Sequence, residues 1–569
     1  MRTTYLLCIV VLSVNVNAQF YDNHWLLGYL GGNQTPLDDS LGVSILSFHE
    51  GDLTIQNNQS INLNFDGSSS AFSDHNGKLL FYSNNIEIRD SNDQQIAGGF
   101  FENNSTPHTN LPQSFVCIPF ESQQMVQYIQ SDYSDDFPRL GQFVSSSFID
   151  LNEPIGIYNT LENILNDSLA TGDLTACKHA NGRDWWVLIS AANKPLVYAL
   201  LFGPNGPYLI DSSAVNFHQK SGLGQAVFSP DGNYFIRYNN SLIGEPNVLD
   251  IFRFNRCTGQ ISNHIQTYIE SSGSSNGIAV SESSQYLYVS DYDFIYQYDL
   301  WANDIFASKD TVAIYDGYLQ LGLFNSRFYL AQLAPDGKIY VNSPSGISKL
   351  TVIEAPDRAG VACNVRQHAI DLPNFNSTTL ANHPNYRLGP IDGSPCDTLG
   401  IDNLPRAYYR IDRNTSDSLH FHFQDLSFYE PETWSWSFGD GGMSIERHPD
   451  HTYQSPGVYE VCLTVGNSLG MDTKCRTLDL GLVSVDDPRE LEFELFPNPV
   501  QDVLVFDLGE YLPLNGRFVL YDAIGREVFS EQVLYRQARF DLSELGPGIY
   551  YYSFWDEGRK IGQGKVVVK

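Results

Sequence analysis

Strand-like runs joined by small turns recur along the chain up to about residue 360. In each repeat a short apolar run ends at a turn, and a second run rich in aromatic and β-branched residues follows. Asn-Gly and Asp-Gly between such runs favour β-hairpins, because both central residues of a type I′ turn need positive φ. The turns are centred near positions 76, 181, 231, 283 and 336, with a weaker one at 121–123. The pattern therefore predicts hairpins that repeat about every 50 residues.

A period of about 50 residues with four short strands per repeat is typical of a β-propeller blade. Six repeats lie between about residues 65 and 360, and the strand-like segments 25–30 and 43–48 precede them. We expect these two segments to close the ring as a seventh blade by pairing with strands after Ser345, since an open ring would expose strand edges. The repeated Ser-Pro-Asp-Gly and Leu-Tyr-Val-Ser pieces resemble WD40-like or YVTN-like bacterial propellers, a resemblance that implies a fold and no particular function. Residues 19–395 are therefore predicted to form an all-β propeller of seven blades, with an array of β-sandwiches as the alternative.

After residue 395 the pattern becomes that of a small β-sandwich. The sequence WSWSFGDG at 434–441 is followed by HTYQSPGVYEV at 451–461. These two pieces resemble the signatures of polycystic-kidney-disease (PKD) domains, which implies an Ig-like sandwich over 396–485. Aromatic residues alternate inward on one strand, and the glycines permit the turns. The resemblance assigns fold-making roles to Trp434, Trp436, Phe438, Gly439, Asp440, Gly441, Tyr453, Gly457 and Tyr459.

A third β-rich segment, 491–569, ends the sequence. It contains ELFPNPV at 494–500, VLYDAIGREV at 519–528 and LSELGPGIYY at 542–551, and it finishes in a basic tail. These pieces resemble the type A C-terminal sorting domain of the Bacteroidetes type IX secretion system. The resemblance implies that the type IX secretion machinery is a partner, which carries the protein across the outer membrane. Alternation and turn residues predict a seven-stranded sandwich, the second of two Ig-like β-sandwich domains after the propeller.

The first 18 residues have the three parts of a secretory signal peptide. Arg2 supplies the positive start, Tyr5–Val14 is an apolar run of ten residues, and Val16-Asn17-Ala18 ends the segment with a cleavage site of the A-x-A kind. We expect cleavage after Ala18. No other run approaches the roughly 18 to 20 apolar residues of a transmembrane helix. The protein is therefore predicted to be secreted or displayed on the outer cell surface, by way of the periplasm, without a transmembrane segment.

The charge of the chain excludes one class of ligand. Its 569 residues include 66 acidic and 33 basic side chains, and the net charge of −33 repels nucleic-acid phosphates. No nucleic acid partner is expected. Most acidic residues precede position 399, where a solvated acidic surface is favoured over Ca²⁺ binding because no D-x-[DN]-x-[DN]-G loop is present. We expect no cofactor, with Ca²⁺ as the alternative.

The cysteines predict disulfides rather than a metal site. No CxxC pair or Cys/His cluster has zinc spacing, and an exported protein meets oxidising conditions. Cys462 and Cys475 lie equidistant from a turn at Ser468-Leu469, so they face each other across a hairpin and are expected to be bonded. Cys363 with Cys396 is the weaker expected pair. Seven cysteines follow the signal peptide, so at least one stays free.

No catalytic constellation is found in the sequence. It lacks the G-x-S-x-G, Walker, H-E-x-x-H and strand-to-helix G-x-G-x-x-G motifs. His179, beside Cys177 and near Trp185-Trp186, is the least ordinary cluster, and a structural role is favoured for it. No catalytic, binding or metal residues are therefore assigned.

Two functions stay open. The favoured one is a non-enzymatic binding or adhesion protein, whose propeller recognises an extracellular glycan or protein and whose PKD domain is a spacer. The alternative is a hydrolase or lyase acting on polysaccharide. Acidic and aromatic side chains around one channel mouth, with raised carboxylate pKa values, would favour the enzyme.

Overall fold

The computed structural model is almost entirely β-structure. It describes residues 20–28, 41–65, 67–101, 111–120, 123–133, 141–152, 154–158, 162–192, 194–215, 224–239, 246–270, 273, 276–376, 378–414, 417–480, 494–508, 516–522, 526–533, 537–543, 545–556 and 559–569. The predicted signal peptide and its cleavage site at Ala18 lie outside these residues. Among the helices of the described residues, none is long and apolar enough to cross a membrane.

Seven sheets in the described part of the chain make up the propeller. Blade one contains β1 (His24–Gly28), β2 (Val43–His49) and β3 (Asp52–Asn58), and blade two contains β4 (Ser70–Ser73), β5 (Leu79–Ser83), β6 (Glu87–Asp90) and β7 (Gln95–Phe100). Blade three contains β8 (Phe115–Phe120), β9 (Met125–Tyr133), β10 (Gly141–Asp150), β11 (Gly156–Ile157) and β12 (Glu162–Leu169). Blade four contains β13 (Thr175–Lys178), β14 (Trp185–Ser190), β15 (Leu196–Gly203) and β16 (Gly206–Ala214). A parallel bridge between Ala97 of β7 and Gly156 of β11 joins the outer edges of blades two and three.

The remaining three blades repeat the same order. Blade five contains β17 (Gly224–Phe228), β18 (Tyr234–Asn239), β19 (Asn247–Phe254) and β20 (Ile261–Ile269). Blade six contains β21 (Asn276–Val280), β22 (Tyr286–Asp291), β23 (Phe294–Asp299) and β24 (Asp310–Ile314), with a 3₁₀ helix at Phe306–Ser308, and is followed by a small hairpin of β25 (Leu319–Gln320) and β26 (Phe324–Asn325). Blade seven contains β27 (Ala331–Leu333), β28 (Ile339–Val341), β29 (Ile347–Ile353) and β30 (Val365–Asn376), with a 3₁₀ helix at Gly360–Cys363. The predicted all-β propeller is confirmed.

Burial falls from the centre of each blade to its rim. The inner strands β8 and β13 are buried at every residue, whereas the outer strand β16 is mostly exposed. This gradient explains why the inner strands are short apolar runs while the outer strands carry many polar residues. The predicted hairpins pair the first and second strands of blades two to seven.

One detail of the turns differs from the prediction. In the turn of blade five the Gly232 amide donates to the Ser229 carbonyl oxygen at 2.8 Å, and φ is +70° at Gly232, whereas Asp231 is not in the positive-φ region. A single glycine in the left-handed position therefore completes a four-residue turn. The carboxylate of Asp231 accepts from the Asn233 amide at 3.0 Å and so holds the turn.

Side-chain packing, rather than the expected strand pairing, joins blade one to blade seven. Trp25 and Phe48 of blade one pack against Tyr340 of blade seven, with ring centroids 5.8 Å apart in each pair. Leu380 and Ala381, which follow the last blade, pack in the same hydrophobic cluster as Trp25 of β1, and Ala381 makes a parallel bridge to Ser69, just before β4. The ring is thus closed by the segment that follows the last blade, a role that a propeller's edges require.

The PKD domain is a sandwich of two sheets. One sheet contains β31 (Tyr409–Arg413), β32 (His420–Asp425) and β35 (Asp450–Thr452), and the other β33 (Thr433–Ser437), β34 (Met443–Ser444), β36 (Val458–Gly466) and β37 (Met471–Asp479). Its core is aromatic: Trp436 and Phe438 are buried, and the Phe438 and Phe423 ring centroids lie 4.9 Å apart. The Trp436 indole N–H donates to the Glu446 carbonyl oxygen at 3.0 Å, which satisfies its polar atom.

The other residues of the PKD motif make turns and close contacts. Gly439 and Gly441 have φ of +83° and +94°, and a Cβ on Gly439 would lie 2.8 Å from the Glu460 backbone. Asp440 accepts from the Gly442 amide and from His451, both at 2.8 Å. Trp434, on the same strand as Trp436, is only partly buried and stacks on the Arg447 guanidinium. Tyr453 is buried with its ring centroid 4.3 Å from that of Tyr459, and the Gly457 amide donates to the Leu480 carbonyl oxygen at 3.1 Å.

The C-terminal domain is a seven-stranded sandwich in the described residues, as predicted. One sheet contains β38 (Glu494–Phe496), β39 (Val503–Asp507) and β42 (Gln537–Asp541), and the other β40 (Gly516–Tyr521), β41 (Glu527–Val533), β43 (Gly548–Asp556) and β44 (Arg559–Val568). Phe506, Phe518 and Phe554 are fully buried at its centre. A parallel bridge between Val500 and Val568 ties the last strand to the start of the domain.

Candidate functional site

Side chains of the protein itself fill the centre of the propeller. Gln113 donates to the Ala226 carbonyl oxygen at 2.8 Å and accepts from the Ala226 amide at 2.7 Å, so it reaches from blade three to blade five. Gln225 donates to the Ala331 carbonyl oxygen at 2.7 Å and accepts from the Ile278 and Ala331 amides at 2.9 and 3.2 Å. Each glutamine pairs backbone groups that the inner edges of the blades would otherwise leave unsatisfied.

The segment that closes the ring adds a second filling layer. Asn382 donates to the Phe115 carbonyl oxygen at 2.8 Å, and the Tyr386 hydroxyl donates to the Cys117 carbonyl oxygen at the same distance. Asn385 donates to the Pro230 carbonyl oxygen at 2.8 Å. The sequence does not reveal these residues, because polar residues at strand starts and in a linker form no recognisable motif.

We call the side of the propeller that carries the turns between the first and second strands of the blades the turn face. A small cavity lies where the central channel meets this face. Its volume is about 80 Å³, and its walls include Asp22, Glu282, His383 and Arg387. A water molecule takes about 30 Å³ of the liquid, so the cavity has room for a few waters. It is too small for a sugar ring with its hydroxyl groups.

The cavity holds two groups whose acidity is strongly perturbed. Burial raises the pKa of Glu282 to about 7, although the nearby charge of Arg387 opposes that shift. Burial also lowers the pKa of His383 to about 4, so its imidazole is neutral near pH 7. Asp22 and Arg387 form a two-pronged ion pair with N–O distances of 2.6 and 2.9 Å. This pair ties the start of the described chain to the segment in the channel.

The PKD domain covers this end of the channel. Its Leu426 is among the cavity walls and lies so close to Gly337 that a Cβ there would be 2.5 Å from the leucine Cδ2 atom. The Arg410 guanidinium donates to the backbone carbonyl oxygen of Asp336 in blade seven. The Gly51 amide of blade one donates to the Tyr408 hydroxyl at 2.7 Å. The domain expected to be a spacer is therefore docked on the turn face of the propeller.

Ion pairs fasten the same interface at blade one. Lys474 of the PKD domain contacts Glu50 at 2.6 Å, and Arg476 contacts Asp52 at 2.5 Å. Burial opposes ionisation of Glu50, but its hydrogen bond and charge pairing with Lys474 prevail and hold the pKa of that carboxyl below its usual value. Both contacts are charge-assisted hydrogen bonds. The one between Lys474 and Glu50 is partly buried, so it is stronger than a pair on an open surface, whereas the carboxylate of Asp52 is exposed.

The structure contains two disulfides among its described residues, one of them unexpected. Cys462 and Cys475 are bonded across β36 and β37 with their Cα atoms 4.1 Å apart. Cys396, expected to pair with Cys363, is bonded instead to Cys257 with a Cα separation of 5.7 Å. The weaker predicted pair is therefore wrong.

The fold explains the changed partner. The linker before the PKD domain runs along the turn between β19 and β20, where Arg256 donates to the Gly389 carbonyl oxygen, so it brings Cys396 to Cys257. Cys363 is a buried free thiol in the 3₁₀ helix of blade seven, beside Tyr288. Cys117 and Cys177 are also buried and free.

His179 has the structural role expected from the sequence. Its Nδ1 atom lies 3.0 Å from the Asn181 amide that donates to it, and its Nε2 atom lies 3.1 Å from the Cys257 carbonyl oxygen. Both ring nitrogens thus hold backbone in place, and burial raises the pKa of the neighbouring Cys177 thiol to about 12. In the described residues we find no group of three or more His, Cys, Asp or Glu side chains placed to hold a metal ion.

Comparison with known proteins identifies the two C-terminal domains. Residues 405–481 match the family model of the PKD domain, and residues 494–569 match that of the secretion system C-terminal sorting domain. The PKD1 domain of Vibrio anguillarum Epp is 29% identical over 14% of this chain and 94% of its own, with a TM-score of 0.13.

Solved structures that overlap the propeller region include the following two. A putative 6-phosphogluconolactonase from Bacteroides uniformis is 12% identical over 64% of this chain and 97% of its own, with a TM-score of 0.38. PorZ, a surface component of the type IX secretion system of Porphyromonas gingivalis, is 10% identical over 95% of this chain and 75% of its own, with a TM-score of 0.25. The protein is thus a β-propeller followed by a PKD domain and a type IX secretion sorting domain, which directs it to the cell surface or the extracellular space.

Proposed function

We propose that this protein is a non-enzymatic binding protein, displayed on or released from the cell surface, that recognises an extracellular glycan or protein. The observation that carries the proposal is the filled channel. The side-chain amides of Gln113 and Gln225 are hydrogen-bonded to backbone groups. These two residues therefore have no amide group available to bind a substrate in the centre of the propeller. The architecture supports presentation of a surface rather than enclosure of a reacting bond.

The alternative, a polysaccharide hydrolase or lyase, is supported by one feature only. Glu282 has a raised pKa, as a general acid requires. Glycoside hydrolysis also needs a second carboxylate about 5 to 9.5 Å away with the sugar between the two. The cavity beside Glu282 has about 80 Å³, well below the roughly 300–1,000 Å³ of small-molecule sites. Leu426 of the docked PKD domain is part of its wall, which further weighs against entry of a substrate.

Rigid display is consistent with the binding role. The disulfide between Cys257 and Cys396 ties the linker to blade five, and the ion pairs of Glu50 and Asp52 fasten the PKD domain to blade one. Two domains held in one arrangement lose little conformational freedom when a ligand binds. Such preorganisation favours recognition of a repeating or extended ligand.

The test uses the mature protein with all three domains. We expect saturable binding on an array of glycans and extracellular-matrix proteins, and no turnover of a panel of chromogenic glycosides between pH 5 and 8. Glu282→Gln should leave binding unchanged, because that carboxyl faces the closed cavity. Glycoside turnover that this variant abolishes would overturn the proposal in favour of the hydrolase.

A further inference from the structure

We propose that the cavity between the turn face and the PKD domain is a binding site for a neutral saccharide. This inference rests on the proposed binding function and names its ligand class. The cavity has a volume of about 420 Å³, which falls within the roughly 300–1,000 Å³ of small-molecule sites. Blade one, the first turn of blade two and the PKD domain all contribute walls, so the site exists only because the domains are docked.

An aromatic cluster forms one wall of this junction cavity. The Phe20 ring centroid lies 5.2 Å from that of Tyr408 and 6.4 Å from that of Phe428. Tyr408 and Phe428 are buried, whereas Phe20 is partly exposed and presents ring surface to the cavity. The Gly51 amide donates to the Tyr408 hydroxyl at 2.7 Å and fixes that ring. Rigid aromatic surface of this kind suits the apolar C–H face of a sugar ring.

Polar side chains line the rest of the cavity and its exposed edge, which we call the mouth. His49, His75 and Asn76 are exposed at the edge of the cavity and together offer both donors and acceptors. Asn23, which is 4% exposed, also belongs to the cavity wall.

The charges of the walls favour a neutral ligand. Glu50 is paired with Lys474 at 2.6 Å, and Asp472 faces Arg406 at 3.8 Å. The charges of these two acidic and two basic side chains cancel within the walls. The cavity therefore has no net electrostatic potential from them that would favour an anion or a cation. A polyhydroxylated neutral molecule instead uses both the aromatic wall and the mixed donors and acceptors.

The experiment measures binding of defined neutral trisaccharides to the mature protein by isothermal titration calorimetry. The probes are maltotriose, cellotriose, chitotriose and mannotriose, with trigalacturonate as the charged comparison. The double variant His75→Ala, Asn76→Ala removes two exposed side chains at the mouth and leaves the core intact. The matched control, Asn92→Ala with Gln94→Ala, changes two exposed side chains in the turn between β6 and β7 of the same blade.

We expect at least one neutral trisaccharide to bind, the mouth variant to weaken it about tenfold, and the control to stay within about twofold. Equal affinity in the mouth variant and the wild type would overturn the site while leaving the proposed function standing. Preference for trigalacturonate, or binding of none of the five probes, would overturn the neutral-saccharide assignment. In that last case, binding on the array of glycans and matrix proteins decides the proposed function separately.

Discussion

Gln225 offers the sharpest test of how the propeller is held together, because a single side chain serves three backbone groups. It is 4% exposed, and it joins blade five to blades six and seven. Replacing it with leucine keeps the approximate volume but leaves two N–H groups and one carbonyl oxygen without partners. At about 1–3 kcal/mol for each of the three buried unsatisfied groups, the loss is about 3–9 kcal/mol, with the 3.2 Å bond to the Ala331 amide contributing least.

The free energy of unfolding is measured by urea denaturation of the mature protein, followed by tryptophan fluorescence. Trp185 and Trp186 lie buried in blade four and report on the propeller. The matched control is Gln95→Leu, the same substitution at an exposed position of the outer strand β7, where about 0.5 kcal/mol or less is expected. The m-value should not change, because the surface exposed on unfolding stays the same.

A small loss of stability would contradict this role of the channel glutamines. If Gln225→Leu lowers the free energy of unfolding by less than about 1 kcal/mol, the channel glutamines are not the groups that satisfy the inner edges of the blades. Gln113→Leu provides an internal check, because Gln113 makes the same kind of two-way contact with Ala226. A large loss for one glutamine and none for the other would also contradict the account.

Three further predictions concern the cavity carboxyl, the cross-link and export. In the folded protein the Glu282 carboxyl keeps its proton up to about pH 7, whereas in the unfolded chain it loses the proton near the ordinary pKa of a glutamate. The contribution of this group to the free energy of unfolding therefore falls as the pH rises towards 7. Glu282→Gln should therefore match the wild type near pH 4.5 and exceed it at pH 8 in urea unfolding; a difference that does not vary with pH would contradict this. Replacing Cys257 and Cys396 together by serine should cost about 2–4 kcal/mol, and non-reducing peptide mapping should recover the Cys257–Cys396 peptide pair from the wild type but no Cys363–Cys396 pair. Deleting 491–569 should leave a folded protein in the periplasm, which cell fractionation checks; normal surface display would remove the sorting role.

Local patterns determined the fold class and the domain order. The alternation of apolar and polar residues, the Asn-Gly and Asp-Gly turns and a repeat of about 50 residues predict the blades, because the residues that form a hairpin are neighbours in the sequence. The PKD and sorting motifs are also contiguous, so the sequence alone places a sandwich around Trp436 and another after residue 491. Cys462 and Cys475 share one hairpin, which is why their apposition follows from spacing.

Only the tertiary structure decided the contacts between distant parts of the chain. Cys257 and Cys396 are 139 residues apart, and Asp22 and Arg387 are 365 apart, so no local pattern connects either pair. Gln225 likewise acquires its role only when three blades meet around one axis. The junction cavity exists because the PKD domain packs against the turn face of the propeller. The residues that make this contact form no recognisable motif in either domain. Packing between separately formed elements, and not the formation of those elements, determines which side chains meet at the turn face.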